Sequence, residues 1–411
     1  MKIIFCGRMY NNVNEDIKMT SHSRGTAAHN FQTNLLNGLM KNFKDIYVIN
    51  TLSVQYFPNY PKIIIKEKDF YINEKNVGKS VGFVNLFGIH YFSRYFSLKK
   101  ALKKYINENV DPDEKCVIIF FNNFLPIELS ALKIKRKYKN VYVCDVIGDL
   151  FSKYGNSWRT SSDPIRAFII RSINKMGDDL SAKCDCFAFL TKDMAYALNV
   201  ENKPFVVMEG LYTIFSPKEG IYNAPNEKDF KIIFYAGALS EAYGIIHLLN
   251  AFEMIDDPTY RLYLAGTGDT EDYIKECAEK DSRINFLGFI TPQEVAEWQD
   301  KAIVLISPRV SEGNEFVKYS FPSKTFECLA SGKPYIAHRL PCEPPEYADY
   351  IQYPDDESDE ALARKIREIC SLSDEERNAI GARARKFIEE EKNPTVMTKR
   401  IVEMLNKLGE N

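Results

Sequence analysis

The residues that could bind a diphosphate are concentrated between Ser307 and Pro334. Arg309 follows a short apolar segment, and Lys324 comes directly after Ser323, a favoured residue at the start of a helix. The first turn of a helix has unpaired backbone N–H groups and a partial positive charge, so it can bind phosphate. A lysine in that turn opposes the helix dipole unless an anion lies beside it. The spacing therefore predicts a phosphate site formed by Arg309, Lys324 and the helix start.

The predicted helix has two distinct faces. At 100° per residue, one face carries side chains that we expect to be buried, namely Thr325, Phe326, Leu329 and Ala330. Lys324 and Glu327 lie on the opposite face, and Gly332 and Pro334 end the helix. Glu327 is placed to accept hydrogen bonds from ribose hydroxyls. The alternative is an exposed lysine–glutamate pair that contributes a few tenths of a kcal/mol.

Three glycines follow strand-like segments and could line a phosphate loop: Gly237, Gly266 and Gly268. Glycine lets the backbone approach a ligand closely. It is also common in ordinary turns at strand ends, so both interpretations stay open for these positions.

Two similar halves position these residues. Short apolar runs alternate with amphipathic segments of helix length, a pattern typical of α/β domains with parallel sheets. Predicted strands in the first half are Lys2–Gly7, Ile46–Thr51, Lys62–Lys66, Val117–Phe121, Val141–Ile147, Cys186–Leu190 and Phe205–Met208. Those in the second half are Ile232–Leu239, Arg261–Ala265, Ile284–Leu287, Ile303–Ser307 and Pro334–Ala337.

The polar segment Pro217–Asp229 predicts a linker between two domains, because a chain of 411 residues exceeds one usual hydrophobic core. We assign 1–215 to the first domain and 216–391 to the second. The last helix, about 392–411, is expected to return to the first domain. The fold expected is two Rossmann-like, doubly wound parallel-sheet domains that face a cleft, with ligands beyond the carboxyl ends of the strands.

The charge is uneven along the chain. Residues 1–220 contain 31 Lys and Arg against 21 Asp and Glu, whereas the remainder contains 23 against 35. The basic half predicts an anionic partner. No nucleic-acid-binding motif is present, so a membrane surface or lipid diphosphate fits better. No apolar run reaches the length of a membrane span, and the expected location is the cytoplasm.

Four residues of the first half are candidates for contact with a second substrate. His22, Arg24 and His29 follow the first strand, and Asp149 follows the strand Val141–Ile147. Strand ends point to ligand sites in such sheets. Solvated loop histidines are common. Asp149 is a catalytic candidate that could orient the acceptor hydroxyl or the donor sugar, and it could equally cap a turn.

The segment Tyr91–Ile106 combines aromatic residues with Lys99, Lys100, Lys103 and Lys104. Such a helix can lie on an anionic membrane. A helix with one buried and one solvated basic face explains the pattern equally well.

The segment FPSKTFECLASGKPYIA, preceded by SPR and EFVKYS, resembles the donor-binding signature of family-4-type retaining glycosyltransferases. It is similar to the branch found in bacterial capsule and exopolysaccharide clusters. Further similar segments are YAGALSEAYGIIHLLNAF, LYLAGTGD and INFLGFI. The resemblance is continuous from about 232 to 350 and implies the GT-B fold.

The resemblance also implies roles for single residues. Glu327 would hold the ribose as the second glutamate of the E-x7-E element, and Gly237 would lie beside the diphosphate. Gly266 and Gly268 would form the turn near the nucleotide, and Phe289 would lie by the base.

The chain departs from the family pattern at three positions. The family has cations where this chain has Ala238 and Tyr243, and a glutamate where it has Tyr319. Arg309, Lys318 and Lys324 are the expected substitute cations. Glu312 or Glu315 is the expected replacement for the lost carboxylate at the sugar.

The resemblance implies a hexosyltransferase that uses a nucleotide diphosphate sugar, with UDP expected, and that retains the anomeric configuration. Without a D-x-D motif, we expect no metal and no cofactor besides the sugar nucleotide. The acceptor would be a saccharide or a polyprenyl-diphosphate-linked saccharide, and a homo-oligomer is compatible with the sequence. Two other classes stay open: a non-catalytic partner that binds sugar or nucleotide, and a sugar-nucleotide epimerase, which the five histidines disfavour.

Overall fold

The computed structural model describes residues 1–11, 16, 26–121, 124–148, 150, 164–212 and 230–409. The chain divides into two compact units. The first comprises Met1–Leu211 and Pro394–Asn411, and the second comprises Tyr212–Asn393. The predicted linker Pro217–Asp229 lies outside the described residues.

Strands and helices alternate through most of the chain. In chain order the described elements are β1 (Lys2–Gly7), α1 (Thr26–Asn42), β2 (Ile46–Thr51), β3 (Ile64–Ile65), β4 (Lys68–Ile72), β5 (Lys75–Val81), β6 (Phe83–Val84), α2 (Ile89–Asn109), β7 (Cys116–Phe121), α3 (Leu125–Lys135), β8 (Val141–Ile147), α4 (Pro164–Ser181), β9 (Cys186–Phe189), α5 (Asp193–Ala197), β10 (Phe205–Val207), β11 (Lys231–Ala238), α6 (Ile245–Glu253), β12 (Tyr260–Thr267), α7 (Glu271–Lys280), β13 (Ile284–Gly288), α8 (Pro292–Lys301), β14 (Val304–Ser307), α9 (Lys324–Ala330), β15 (Tyr335–Ala337), α10 (Asp359–Ser371), α11 (Asp374–Glu391) and α12 (Pro394–Asn406). Short 3-10 helices cover Glu241–Tyr243, Glu315–Tyr319 and Pro345–Asp349.

The first unit is built on an eight-stranded sheet with the order β10-β9-β8-β7-β1-β2-β5-β4. Its central strands β1 and β7 are buried except for one end residue each, as expected for a sheet covered on both faces by helices. The last helix, α12, packs against α1. The Asn42 side-chain amide donates hydrogen bonds to the Thr395 carbonyl at 2.8 Å and the Thr398 hydroxyl at 2.9 Å.

One edge of this otherwise parallel sheet is antiparallel, a feature that the sequence analysis did not predict. Strands β4 and β5 form a hairpin through Asn73 and Glu74, which both have positive φ angles, 47° and 65°. The predicted strand Lys62–Lys66 is reduced to the two residues of β3, which pair antiparallel with β6 in a separate small sheet.

The second unit has a five-stranded parallel sheet with the order β13-β12-β11-β14-β15. Apolar side chains from its two faces pack against helices in two separate cores. The α/β class with two Rossmann-like domains is thereby confirmed. None of the helices among the described residues is long and apolar enough to cross a bilayer.

Candidate functional site

The topology of the second unit leaves a crevice beside its central strand. From β11 the chain proceeds to β12 and β13 on one side, and β14 and β15 lie on the other. The loops that follow β11 and β14 therefore diverge, and open α/β sheets bind ligands at such a point. Ala238 ends β11 and Ser307 ends β14.

Lys324 lies directly against the end of β11. A Cβ atom added to Gly237 would be 2.7 Å from Lys324 Cε and 2.6 Å from the Tyr235 hydroxyl. Carbon atoms that are not bonded prefer a separation of about 3.5–4.0 Å, so a larger residue at this position would displace the lysine. Lys324 and Glu327 also line a small cavity together with Ser307. The structure thus brings the predicted glycine and lysine together at the crevice.

Helix α9 has the predicted faces. The four residues expected in the core are all buried: Thr325, Phe326, Leu329 and Ala330. Gly332, with φ 78°, follows the end of the helix in the left-handed region. Glu327 is exposed. Burial of one face holds Lys324 and Glu327 on the side that faces away from the core.

The start of α9 differs from the prediction. Ser323 occupies the N-cap position, but its backbone is helical and its side chain makes no capping hydrogen bond. The Thr325 and Phe326 N–H groups donate to the carbonyls of Pro322 and Ser323. These donors are therefore not free for a phosphate, because a 3-10 turn has already paired them. The positive charge available at this place comes from the Lys324 side chain rather than from the backbone of the first turn.

Arg309 lies where the loops after β11 and β14 meet. Its side chain is buried, with its guanidinium carbon 4.4 Å from the Phe316 ring centroid and 5.4 Å from the Tyr243 ring centroid. Gly244, with φ 80°, has no room for a Cβ, which would be 2.0 Å from the Pro308 carbonyl oxygen. This close approach places Arg309 beside Tyr243, the position where the resembled family has a cation.

Tyr235 lies near both Lys324 and Arg309. Its hydroxyl donates to the Ala238 carbonyl at 2.9 Å and lies beside the Cε atom of Lys324. Burial is the main cause that raises the pKa of Tyr235, and the positive charge of Arg309 partly opposes it. Lys324 and Tyr235 thus both lie against Gly237, and Arg309 is close enough to influence the pKa of Tyr235.

The remaining predicted residues of this unit surround the crevice. Gly266 and Gly268 lie against the loop after β11, since added Cβ atoms would be 1.7 Å from the carbonyl oxygens of Gly237 and Leu239. Phe289 is 78% exposed, directly after β13. The other candidates lie on the loop after β14, where Lys318, Glu312 and Glu315 are exposed and Tyr319 is half-buried.

A carboxylate that sequence reasoning missed holds this loop. Glu357 accepts hydrogen bonds from the Ser311 N–H at 2.9 Å and the Glu312 N–H at 3.1 Å. Burial raises the pKa of Glu357, but the hydrogen bonds from Ser311 and Glu312 outweigh it, and the net pKa is lowered. Glu357 is more than forty residues away in sequence, so no local pattern indicated the contact.

A histidine pair lies beside this carboxylate. His247 Nε2 and His338 Nε2 are 2.9 Å apart, and the other ring nitrogen of His247 contacts Asp359. Burial, reinforced by His247, lowers the pKa of His338 to about 4, although Glu357 and Asp356 oppose the shift. His338 is therefore uncharged at neutral pH.

Of the candidates in the first unit, only His29 is described. It is buried, and its Nδ1 accepts a hydrogen bond from the Tyr10 N–H at 3.2 Å. Burial is the main cause that lowers its pKa. His22, Arg24 and Asp149 lie outside the described residues. Within the described part of the chain, no group of three or more histidines, cysteines or acidic residues is arranged to hold a metal ion.

Comparison with solved structures identifies the fold class. The chain is similar over its whole length to sucrose-phosphate synthase from Thermosynechococcus elongatus, with 15% identity, a TM-score of 0.60 and 99% of each chain covered. Anabaena HepE, solved in complex with UDP, gives 13% identity and a TM-score of 0.61, with 99% of this chain and 100% of that chain covered. The lipopolysaccharide outer core galactosyltransferase WaaB gives 14% identity and a TM-score of 0.59, with 99% of each chain covered. The two Rossmann-like domains thus form a GT-B fold.

Residues 219–387 match the family model of glycosyl transferases group 1. This match covers most of the second unit and confirms its resemblance to the family-4-type glycosyltransferases. A comparison of the sequence with curated proteins finds no match.

Proposed function

We propose that the protein transfers a hexose from a UDP-sugar to a saccharide or a polyprenyl-diphosphate-linked saccharide, with retention of anomeric configuration. The pathway proposed is the synthesis of a surface polysaccharide, either capsule or exopolysaccharide. The observation that carries the proposal is the contact of Lys324 with Gly237 at the switch point of the second sheet. HepE, which shares the fold, was solved with UDP and with UDP-glucose, which supports the choice of nucleotide.

The chemistry requires stabilisation of negative charge on the leaving diphosphate. The acceptor hydroxyl oxygen forms a bond to the anomeric carbon, and the bond from that carbon to the diphosphate oxygen breaks with its electron pair. The leaving oxygen takes the proton of the hydroxyl, so no separate protein base is needed. Lys324 and Arg309 would bind the diphosphate and stabilise its charge without a metal ion.

The other donor residues would fix the nucleotide. Glu327 is exposed on the same side of α9 as Lys324 and would accept hydrogen bonds from the ribose. Phe289 would stack on the base, since most of its ring is exposed. Lys318, Tyr319, Ser323 and the glycines would border the diphosphate and sugar. In the first unit, His22, Arg24 and His29 remain the proposed acceptor residues, and Asp149 is the proposed catalytic residue that orients the acceptor hydroxyl or the donor sugar.

Binding of UDP tests the donor site directly. Titration calorimetry with UDP, GDP and dTDP should show the tightest binding for UDP. Lys324→Ala should weaken UDP binding about tenfold or more and lower turnover by roughly two to three orders of magnitude, the effect of losing one preorganised charge donor. Lys386→Ala is the matched control, since Lys386 is an exposed lysine of α11 in the same unit.

Two results would contradict the assignment. If Lys324→Ala and Lys386→Ala bind UDP equally well, Lys324 does not contact the diphosphate. If none of the three nucleotides binds the wild-type chain, the donor class itself is wrong.

A second candidate is a non-catalytic protein that binds a nucleotide sugar and assists another transferase. The absence of cations at Ala238 and Tyr243 favours it, because the resembled family has positive charge at both positions. Such a protein would bind UDP but neither transfer the sugar nor slowly hydrolyse the donor. Release of UDP from UDP-glucose, measured with and without saccharide acceptors, separates the two candidates.

Peripheral contact with an anionic membrane belongs to the same proposal. Helix α2 has a buried stripe of His90, Arg94, Leu98, Leu102 and Ile106. Its outer surface exposes Phe92 and Phe96 together with lysines. Co-sedimentation with vesicles that contain anionic lipid should exceed that with neutral vesicles, and Phe92→Ser should reduce it. Equal sedimentation with both vesicles would contradict membrane contact.

A further inference from the structure

Two arginine side chains of the first unit share one aromatic ring. The guanidinium carbons of Arg8 and Arg94 lie 4.6 Å and 5.5 Å from the centroid of the Phe124 ring. Arg94 also stacks on Phe83, at 3.9 Å from that centroid. Stacking on a ring covers the face of a guanidinium and leaves its N–H edges for hydrogen bonds in its plane.

These N–H edges have few partners in the protein. Arg94 is only 1% exposed, yet its buried Nε has no hydrogen bond, and Nη2 donates only to the Val54 carbonyl at 3.4 Å. Within the described residues, the Arg8 guanidinium has no hydrogen bond and no ion pair. A buried donor without a partner costs free energy, so the Arg94 Nε is a candidate to receive an acceptor atom from a ligand. The exposed Arg8 guanidinium beside it can bind the same ligand.

The charges around the pair are positive. Burial lowers the pKa of Arg94 well below its usual value, and the nearby charge of Arg8 lowers it further. Both arginines also lower the pKa of His90, after burial. Arg8 itself is exposed at the surface, although desolvation is the main cause that lowers its pKa. No carboxylate of a described residue offsets these charges.

The position of the pair in the fold is that of a ligand site. In the first sheet, β1 lies between β2 on one side and β7 on the other. Arg8 directly follows β1, and Phe124 follows β7 at the start of α3. The carboxyl ends of β1 and β7 form the switch point of this sheet, where open α/β sheets bind ligands.

We propose that Arg8 and Arg94 bind an acidic group of the acceptor, either a phosphate or a carboxylate. Guanidinium groups recognise both through paired N–H···O hydrogen bonds. The assignment to the acceptor rests on the proposed function, in which the second unit binds the donor with its own cations, Lys324 and Arg309. An anion site on the first unit then serves the other substrate.

The experiment uses the full chain and two titrations in sequence. UDP is titrated first, and inorganic pyrophosphate or glucuronate is then titrated into the UDP-saturated chain. Wild type should bind pyrophosphate, glucuronate or both in this second step, and Arg8→Gln should weaken that binding at least tenfold. Lys41→Gln, an exposed cation at the far end of α1, should leave it unchanged. Arg8 is the residue of choice because its exposed side chain can be replaced without opening the core.

The outcomes separate this proposal from the donor assignment. Binding of pyrophosphate alone identifies a phosphate-bearing acceptor, and binding of glucuronate alone identifies a carboxylate-bearing one. The proposal is overturned if neither anion binds the UDP-saturated chain, or if Arg8→Gln weakens UDP instead of the second anion. If UDP does not bind but pyrophosphate affinity depends on Arg8 and not on Lys324, the arginine site stands and the donor proposal fails.

Discussion

The substitution Gly237→Ala tests the position of Lys324 without removing its charge. The new methyl group would lie 2.7 Å from Lys324 Cε and 2.6 Å from the Tyr235 hydroxyl. Because carbon–carbon contacts of this kind prefer about 3.5–4.0 Å, the lysine must move by about 1 Å. The φ angle of Gly237 is not positive, so alanine itself is compatible with the backbone at this strand end.

The expected loss of affinity follows from this displacement. A hydrogen bond from a charged group contributes about 1.5–3 kcal/mol, and a displacement of about 1 Å removes much of it. UDP should therefore bind roughly 10- to 100-fold more weakly. The crowding of Tyr235 should also lower the free energy of unfolding by about 1–3 kcal/mol, the usual cost of overpacking.

Two measurements on the same preparations check this. Titration calorimetry gives the dissociation constant for UDP, and urea denaturation gives the free energy of unfolding. Gly332→Ala is the matched control, because Gly332 has a φ of 78° and its added Cβ would meet only Arg385, at 3.7 Å. It should lower stability by about 1–2 kcal/mol through backbone strain and leave UDP affinity unchanged.

The reasoning is refuted if folded Gly237→Ala binds UDP within twofold of wild type, because the displaced lysine would then be irrelevant to the nucleotide. It is also refuted if Gly332→Ala weakens UDP binding equally, since the loss would then reflect general destabilisation.

Phe289, Arg309 and His338 can each be tested by a single substitution. Phe289→Ala should weaken UDP binding about tenfold, because the base loses its stacking partner, and should leave pyrophosphate binding and the free energy of unfolding unchanged. Calorimetry that shows an equal loss of affinity for UDP and pyrophosphate would exclude contact of Phe289 with the base. Arg309→Lys should lower turnover about tenfold, since a lysine cannot stack its planar fork on Phe316, and wild-type rates of UDP release would contradict this. The free energy of unfolding should fall by up to about 3 kcal/mol as the pH drops from 6.5 to 4. The reason is that His338 has a pKa of 6.5 in the unfolded state and of about 4 in the folded state, so the unfolded state takes up a proton first. His338→Asn should flatten this part of the pH curve in urea titrations, and an unchanged slope would show that His338 is not the group responsible.

The parts of the fold that depend on local burial patterns were predictable from the sequence. Strands β1, β2 and β8 have the predicted bounds, and the buried face of α9 follows from helical spacing alone. These patterns can be recognised locally, because any face of a strand or helix that packs in the core must be apolar. The same reasoning predicted two α/β halves, whereas the family was indicated by the resemblance of the segment from about 232 to 350.

The hairpin of β4 and β5 could not be found in this way. Its strands lie at the edge of the sheet and expose many polar side chains, so the apolar signal is weak. Its two-residue turn uses Asn73 and Glu74 in the left-handed region, where glutamate is uncommon. A turn with glycine would have been recognised.

The start of α9 shows the limit of reasoning from residue preference. Serine before an apolar helix favours an N-cap, yet here Ser323 is itself helical, and Pro322 and Ser323 accept the N–H bonds of the first turn. The contacts of Arg8 with Phe124 and of Ser311 with Glu357 depend on tertiary structure. They join residues separated by more than forty positions, and no pattern within one element indicates them.

The same tertiary contacts explain how the chain can depart from the family pattern without losing positive charge at the crevice. In the resembled family the cation belongs to the loop after β11, where this chain has Tyr243. Gly244 lets that loop reach the Pro308 carbonyl, so Arg309, on the loop after β14, places its guanidinium beside the tyrosine ring. Arg309 thus brings a positive charge from the loop after β14 to the place where we proposed a substitute cation. The Arg309 side chain is buried against Tyr243 and Phe316. This burial restricts its conformational freedom and fixes its position before a ligand binds.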